Sequence, residues 1–170
     1  MIGEGGFGKV YHGSHKKSGQ QVAVKYIDLS EYMKKANKIE EIFKEAKILM
    51  QLTHKNIIKL HQACVIGNDI CLIMEYADGG ELVDYVREND GISEVQSRNI
   101  VRQVASAMQH CHGMGVIHRD LKLENVLFET KARTRIKVVD FGISGLIVGG
   151  EAEKNNAATL KYMTPEMTSS

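Results

Sequence analysis

The first residues of the chain that could do chemistry are three glycines near its start, spaced Gly3-x-Gly5-x-x-Gly8. Because glycine has no side chain, backbone N–H groups at such positions can approach phosphate oxygens closely. The same spacing opens a dinucleotide-binding unit, but there a helix follows it. Here the residues after Gly8 continue as strand, which predicts a glycine-rich turn between two strands. A plain tight hairpin is the alternative.

A lysine and a glutamate further along the chain are candidates for an ion pair. Lys25 lies in residues 22–27, a run rich in β-branched and aromatic side chains that predicts a strand with Lys25 and Ala23 on one face. Glu45 lies at the rim of the apolar face of a helix predicted over about 38–51. Because an unpaired buried carboxylate is costly, Glu45 needs a cation nearby.

The remaining polar motifs complete a recognisable series. In chain order the series is the glycine turn, Val22-Ala23-Val24-Lys25, Glu45, the eight residues His118-Arg119-Asp120-Leu121-Lys122-Leu123-Glu124-Asn125, Asp140-Phe141-Gly142 and Thr164-Pro165-Glu166. This order is the protein-kinase signature set. The sequence therefore resembles the catalytic domain of eukaryotic protein kinases over nearly its whole length. Residues 79–82 and 122–125 most resemble the calmodulin-dependent and AMP-activated kinase groups, in the serine/threonine branch that Lys122 marks.

The resemblance implies an α+β, two-lobed protein-kinase fold. Residues 1–74 would form the ATP-binding lobe, a small antiparallel sheet with one helix, and residues 75–170 a partial, mainly helical lobe with the hinge, catalytic loop and activation segment. The implied activity is transfer of the γ-phosphoryl group of ATP, with Mg²⁺, to serine or threonine hydroxyls of protein substrates. The alternatives are a nucleotide-binding but catalytically weak fragment or pseudokinase acting as a binding module, and a structural or interaction protein.

Five residues receive catalytic or metal-binding roles from this resemblance. Asp120 would accept the proton of the substrate hydroxyl, and Lys122 would neutralise the γ-phosphate. Asn125 and Asp140 would bind two Mg²⁺ ions, hard cations that oxygen ligands suit. Thr159 would brace the catalytic aspartate.

The nucleotide contacts follow in the same way. Lys25 would hold the α- and β-phosphates with Glu45 as its partner. Met74 would guard the back of the adenine pocket, and residues 75–77 would form the hinge. The other expected nucleotide-binding residues are Gly3, Gly5, Gly8, Val10, Ala23, Glu75, Ala77, Glu81 and Leu127.

Apolar and turn patterns predict the elements that position these residues. Residues 57–65 and 70–76 predict a hairpin, and Glu81–Asn89 a short helix. Ser93 and Gln96 form a capping box that opens a helix to about residue 112, stopped by Gly113 and Gly115, with an apolar face at Val101, Val104, Ala105, Met108 and Cys111.

Around the catalytic motifs the patterns are shorter. Residues 126–128 and 136–139 predict two strands, and residues 143–161 a mobile loop. His118 and Phe141 are interpreted as core packing, which the resemblance places in an apolar column with Leu49 and Leu60.

The segment after the Asp140 motif departs from the family pattern. Asn155 stands where many relatives carry an activating phosphorylated residue. Of the basic groups that would receive that phosphate, Arg119 remains, whereas Glu41 and Gly145 occupy two of the other positions. The hypothesis that follows is an activity independent of phosphorylation at residue 155.

Composition limits the partners and the compartment. The 170 residues carry 22 basic and 21 acidic side chains, so no global field attracts nucleic acid or anionic lipid. No membrane span or secretory signal is visible, and three scattered cysteines favour a reducing, intracellular setting over a disulfide framework or zinc site. The cytoplasm is the expected location, with the nucleus as the alternative. Protein substrates with an upstream basic residue, recognised by Glu81 and Glu124, are the expected partners, and the oligomeric state stays open.

The resemblance also implies further helices after Glu166. Without them, the helix over residues 93–112 is expected to expose an apolar patch, and the chain to be marginally stable or aggregation-prone.

Overall fold

The computed structural model describes residues 1–5, 8–28, 46–47, 49–118, 120–141 and 145–146 of the chain. It divides into two compact units. The first comprises Met1–Thr53 and Ile58–Ala77, and the second comprises His54–Ile57 and Asp78–Ser170. The boundary predicted from the sequence lies after residue 74.

The first unit is built on a five-stranded antiparallel sheet with the order β1-β2-β3-β5-β4. The predicted strand over 22–27 and the predicted hairpin are both present. The hairpin's first strand begins at Leu60 instead of residue 57, because residues 54–57 belong to the second unit. The strands are β1 (Gly3–Gly5), β2 (Gly8–Ser14), β3 (Gln21–Asp28), β4 (Leu60–Ile66) and β5 (Asp69–Glu75).

One helical segment accompanies this sheet. Ala46, Lys47 and residues 49–51 are helical and form the C-terminal end of the helix predicted over 38–51. The rest of that prediction lies outside the described residues.

The second unit is α+β, with two helices and two small antiparallel strand pairs among its described residues. Strand β7 pairs with β8, and β6 with β9. The elements are α1 (Leu82–Glu88), α2 (Glu94–Gly113), β6 (Val116–Ile117), a 3₁₀ turn (Leu123–Asn125), β7 (Val126–Phe128), β8 (Ile136–Val138) and β9 (Gly145–Leu146). Both units together confirm the predicted α+β class.

Helix α2 begins as predicted, and only one side of its predicted apolar face is buried. The Gln96 N–H donates to Ser93 Oγ at 3.2 Å, and the Ser93 N–H donates to Gln96 Oε1 at 3.2 Å, which completes the capping box. The buried side chains are Ala107 and Cys111. Val101 is 63% exposed and Ala105 is exposed, so this side of the predicted apolar face is not buried against the described residues.

Helix α2 ends where the sequence predicted. Gly113 is its last residue, and Gly115 takes the left-handed conformation just beyond it, with a φ of 71°. Within the predicted mobile loop, Gly145–Leu146 pairs with Val116–Ile117 as a short strand, and the other residues of that prediction lie outside the described part. None of the helices in the described ranges is long and apolar enough to cross a membrane.

Candidate active site

His118 fixes the loop between β6 and β7. Its ring is 2% exposed, and this burial lowers its pKa, which favours the neutral form. Nε2 lies 2.9 Å from the carbonyl oxygen of Val139 and donates to it, and Nδ1 accepts from the Asp120 N–H at 3.3 Å. The ring centroid lies 4.6 Å from that of Phe141, which is 2% exposed, so the core positions predicted for His118 and Phe141 are confirmed.

Three predicted catalytic or metal-binding side chains meet at the end of this loop. Lys122 Nζ lies 2.8 Å from Asp120 Oδ2. Asn125 Nδ2 donates to the same oxygen at 3.0 Å and to the Asp120 backbone carbonyl at 2.7 Å. Asp120 is 9% exposed, so the carboxylate is held in a largely dry setting where such bonds are strong.

Asp140 follows the strand that is tied to this loop. The Val139 N–H donates to the Asn125 carbonyl oxygen at 2.9 Å, which brings the backbones of Asn125 and Asp140 together. Asp140 has a φ of 64°, in the left-handed region that non-glycine residues seldom adopt. Such strain persists where the surrounding structure imposes it, and it is concentrated at functional sites.

The side-chain oxygens of Asn125 and Asp140 are of the chemical type that binds Mg²⁺. Asn125 and Asp140 offer amide and carboxylate oxygens, which are ligands that Mg²⁺ prefers. Both hydrogen bonds from Asn125 to Asp120 are made by its Nδ2 atom, so its Oδ1 atom is the amide atom that would bind the cation. A short ligand set of this kind suits a cation whose shell phosphates and waters complete.

Glu81 and Leu127, both predicted nucleotide contacts, are neighbours in the second unit. They form an antiparallel bridge, flanked by the Phe128 N–H bond to the Gly80 carbonyl at 2.9 Å. Gly79 has to be glycine, because a Cβ there would overlap the backbone and Cβ of Phe128. The pair Gly79-Gly80 therefore lets this segment lie against β7.

In the first unit, strand pairing gathers the predicted nucleotide side chains on one face of the sheet. Val10 is opposite Lys25, and Ala23 is opposite Met74. Since side chains alternate along a strand, these four residues share a face. Lys25 and Ala23 are each 9% exposed, so both side chains are buried on this face.

The three glycines of the glycine turn lie in two antiparallel strands, as predicted: Gly3 and Gly5 in β1, and Gly8 at the start of β2. Gly3 pairs with Val10, and Gly5 pairs with Gly8. Gly8 has a φ of 135°, and a Cβ at this position would overlap the Tyr26 carbonyl oxygen. The close approach of β2 to β3 therefore requires glycine here, whatever ligand the turn binds.

The predicted hinge begins at the end of β5. The Glu75 N–H donates to the Lys59 carbonyl at 2.8 Å, and Glu75 Oε2 accepts from the Lys59 N–H at 3.1 Å. This side chain therefore joins two segments of the first unit. Ala77 is half-buried at the end of the first unit.

Two predicted catalytic residues, Glu45 and Thr159, lie outside the described residues. The ion pair between Lys25 and Glu45 therefore stays a prediction. The same holds for the roles given to Arg119 and Asn155.

A buried polar cluster that the sequence analysis missed supports β8, the strand that leads to Asp140. Asn56 is fully buried, and its Nδ2 donates to Gln103 Oε1 at 2.8 Å and to the Ile136 carbonyl at 2.9 Å. The Val138 N–H donates to the Asn56 carbonyl at 2.8 Å. No periodic signal marks such a cluster, because its bonds join residues far apart in the sequence.

Histidines extend this cluster. His54 Nε2 lies 3.1 Å from Ser106 Oγ, and its Nδ1 accepts from the Asn56 N–H at 3.1 Å. Its ring stacks on that of His110 at 5.3 Å between centroids. Burial lowers the pKa of His54, and the nearby His110, Lys55 and Lys137 lower it further.

The fold and the loop geometry thus define a protein kinase domain, and comparison with known proteins agrees. Residues 1–170 match the protein kinase domain family, so the chain belongs to it, and the predicted family and fold are confirmed. The chain is 37% identical over 151 residues to CBL-interacting protein kinase 25 of Oryza sativa subsp. japonica. That similarity covers 86% of this chain and 29% of the relative, so the chain spans less than a third of the relative's length.

Proposed function

We propose that this chain transfers the γ-phosphoryl group of ATP to serine or threonine hydroxyls of protein substrates. One observation carries the proposal. The Asp120 carboxylate is held between Lys122 Nζ at 2.8 Å and Asn125 Nδ2 at 3.0 Å, in a loop bonded to Val139, the residue before Asp140. A structural role alone gives no reason to bury a carboxylate and an asparagine, with a half-buried lysine on the carboxylate, beside a strained aspartate.

The chain's own residues supply positioning and charge. Phosphoryl transfer asks little covalent chemistry of a protein, so orientation and electrostatic stabilisation dominate. Asp120 accepts the proton of the substrate hydroxyl, and the Asn125 amide fixes the orientation of the carboxylate. Lys122 places a positive charge beside Asp120, where it also neutralises phosphate charge.

The nucleotide and metal roles follow from the same family membership. Asn125 and Asp140 would hold Mg²⁺, and Lys25 would hold phosphate oxygens. The apolar side chains on the Lys25 face, Val10, Ala23 and Met74, would contact the adenine. Bound Mg²⁺ would supply neutralisation of the charge that develops on the phosphates.

A phosphate-transfer assay tests the proposal. The chain is incubated with radiolabelled Mg²⁺-ATP and a mixed protein substrate, and the label is located by phosphoamino-acid analysis. We expect label on serine and threonine, abolished by Lys25→Met. Lys9→Met is the matched control, because Lys9 is an exposed lysine on the neighbouring strand.

The melting temperature (Tm) with and without Mg²⁺-ATP tests the alternative that the chain is a nucleotide-binding module. If Mg²⁺-ATP raises the Tm of the wild-type chain and no label is transferred, the chain binds nucleotide without catalysis and the proposal is wrong. If Mg²⁺-ATP neither raises the Tm nor labels substrate, both the transferase and the binding module are contradicted.

We also propose that substrates carry a basic residue upstream of the target hydroxyl. Partial desolvation raises the pKa of Glu81, and the neighbouring Asp84 and Glu124 carboxylates raise it further, so three acids lie close together. A cation in the substrate would relieve this repulsion. A peptide series with arginine or glutamine upstream should favour arginine, and Glu124→Gln should weaken the preference. Equal rates for both peptides contradict it.

Activity independent of phosphorylation at residue 155 is part of the proposal, since asparagine cannot be phosphorylated. A phosphatase-treated sample should retain its activity, and complete loss would contradict this point. The lack of nucleic-acid and membrane partners and the intracellular location stay predictions.

A further inference from the structure

Two cysteines face each other across the β4–β5 hairpin. Cys64 and Cys71 are directly opposite in the antiparallel register, and the adjoining pairs, Ala63 with Leu72 and Val65 with Ile70, continue without interruption. Directly opposite residues have Cα atoms about 4.5–5.5 Å apart. A disulfide requires about 4.4–6.8 Å, so the backbone already has the spacing for one.

The pair lies away from the candidate nucleotide-binding face. On its other side Cys71 is opposite Tyr26, which in turn is opposite Lys9. Tyr26 follows Lys25 directly, and consecutive residues of a strand point to opposite faces. The two cysteines therefore share the face opposite to that of Lys25, and the established family chemistry makes no use of them.

The two thiols differ in access. Cys64 is half-buried, whereas Cys71 has no exposed surface. Burial raises the pKa of the Cys71 thiol, and the adjacent Cys64 and Asp69 raise it further. An oxidant from solution therefore reaches Cys64 first, and Cys71 is the thiol next to it.

We propose that Cys64 and Cys71 are a reversible oxidation site that forms a cross-strand disulfide on exposure to a hydroperoxide. In the first step the Cys64 sulfur attacks the peroxide O–O bond, giving a sulfenic acid and releasing the alcohol, or water from hydrogen peroxide. In the second step the Cys71 sulfur attacks the Cys64 sulfur, the S–S bond forms, and the sulfenic oxygen leaves as water. The pair loses two electrons and two protons, and the peroxide is reduced.

Cross-strand geometry makes the disulfide easy to reduce. Opposite residues have Cβ atoms about 4.5–5.5 Å apart, whereas a relaxed disulfide brings them to about 3.8 Å. Closing this difference strains the bond, and strained disulfides are the labile ones. The site therefore switches with the supply of oxidant and thiol, which is compatible with a reducing compartment.

The test uses the full 170-residue chain and one equivalent of hydrogen peroxide. We expect the mass to fall by two hydrogen atoms and titratable thiols to drop from three to one. Proteolysis on the amino side of aspartate cuts between Asn68 and Asp69, so the two cysteines end in different peptides. Under non-reducing conditions these peptides should remain linked, and dithiothreitol should separate them.

Variants make the assignment specific. Cys64→Ser and Cys71→Ala should each prevent the loss of mass, and Cys111→Ala should leave it unchanged. Cys111 is a suitable control because it is buried in α2, where burial raises its pKa to about 11.

Other products overturn the proposal. They are a sulfinic acid on Cys64 with Cys71 still reduced, a covalent dimer through Cys64, equal oxidation of all three cysteines, and no reaction. Each is identified on the wild-type chain, so the test does not depend on a variant folding. The result is also independent of phosphate transfer.

Discussion

The side-chain amide of Asn125 donates two hydrogen bonds to Asp120, one to the backbone carbonyl at 2.7 Å and one to Oδ2 at 3.0 Å. One residue thus orients the proposed base through its nitrogen and has an amide oxygen left to offer to a cation. Metal binding and base orientation are therefore coupled through one planar group. Substitutions that keep the oxygen and remove the N–H can separate the two roles.

Asn125→Asp is such a substitution. It keeps an oxygen ligand but removes both N–H donors and places a second carboxylate beside Asp120. Like charges disfavour two ionised carboxylates, so we expect kcat to fall by about 10²-fold or more and the acid limb of the pH–rate profile to move to higher pH. Asn68→Asp, in the exposed hairpin turn, is the control. An unshifted profile would show that the amide does not orient the base.

The glycine turn gives a prediction about nucleotide binding. Gly8→Ala forces a side chain against the Tyr26 carbonyl at a φ of 135°, so it should cost more than about 1 kcal/mol and reduce the rise in Tm on adding Mg²⁺-ATP. Gly13→Ala, on the same strand, meets only Val22 and Val24 at 3.7 and 3.8 Å and should be tolerated. Equal behaviour of the two variants would contradict the packing described for β2 and β3.

Asn56→Ala tests the polar cluster behind β8. The substitution leaves Gln103 Oε1 and the Ile136 carbonyl with one donor fewer in a buried setting, so we expect a loss of about 1–3 kcal/mol in the free energy of unfolding. Gln109→Ala, exposed on α2, should change it little. Urea denaturation monitored by circular dichroism measures both, and a neutral Asn56→Ala would refute a supporting role for the cluster.

Two histidines make stability depend on pH. Burial is the chief cause that lowers the pKa of both His54 and His118 below the ordinary 6.5. Between the lowered pKa values and 6.5 the unfolded chain binds more protons than the folded chain. This contribution to stability is therefore fully present above pH 6.5 and is lost as the pH falls through the lowered pKa values of the folded chain.

Urea midpoints at about pH 7.5 and about pH 5.5 measure the effect. We expect His54→Gln and His118→Gln each to reduce the difference between the two midpoints. His112→Gln, at an exposed position, is the control. A difference that all three variants leave unchanged would assign the pH dependence to other groups.

The features that were predicted correctly from the sequence are those that depend on the local pattern of residues. The alternation around Lys25 places it correctly on one face with Ala23, and the capping box at Ser93 marks the true start of α2. Apolar periodicity did not show which side of the same helix is buried, because Gln103, a polar residue, lies on the inward side, where its Oε1 accepts bonds from Asn56 and the Ile136 N–H. The inward face is therefore rotated away from Val101.

Other features depend on contacts that no local pattern encodes. The strand of Gly145–Leu146 exists through its pairing with Val116–Ile117, and two residues are too few for a period. The left-handed backbone of Asp140 is likewise imposed by its surroundings, since aspartate only tolerates this conformation. The roles of the site residues came from the family resemblance, and within the second unit the structure brings four of them together.

Single-turnover phosphate transfer at saturating Mg²⁺-ATP tests the central claim most directly, with the wild-type chain, Asp120→Asn and Asp140→Ala compared side by side. If Asp120 is the base and Asp140 a metal ligand, transfer by Asp140→Ala should fall at least as far as transfer by Asp120→Asn, because charge stabilisation outweighs proton transfer in this reaction. A near-normal rate for Asp140→Ala would contradict the metal assignment and, with it, the account of the site.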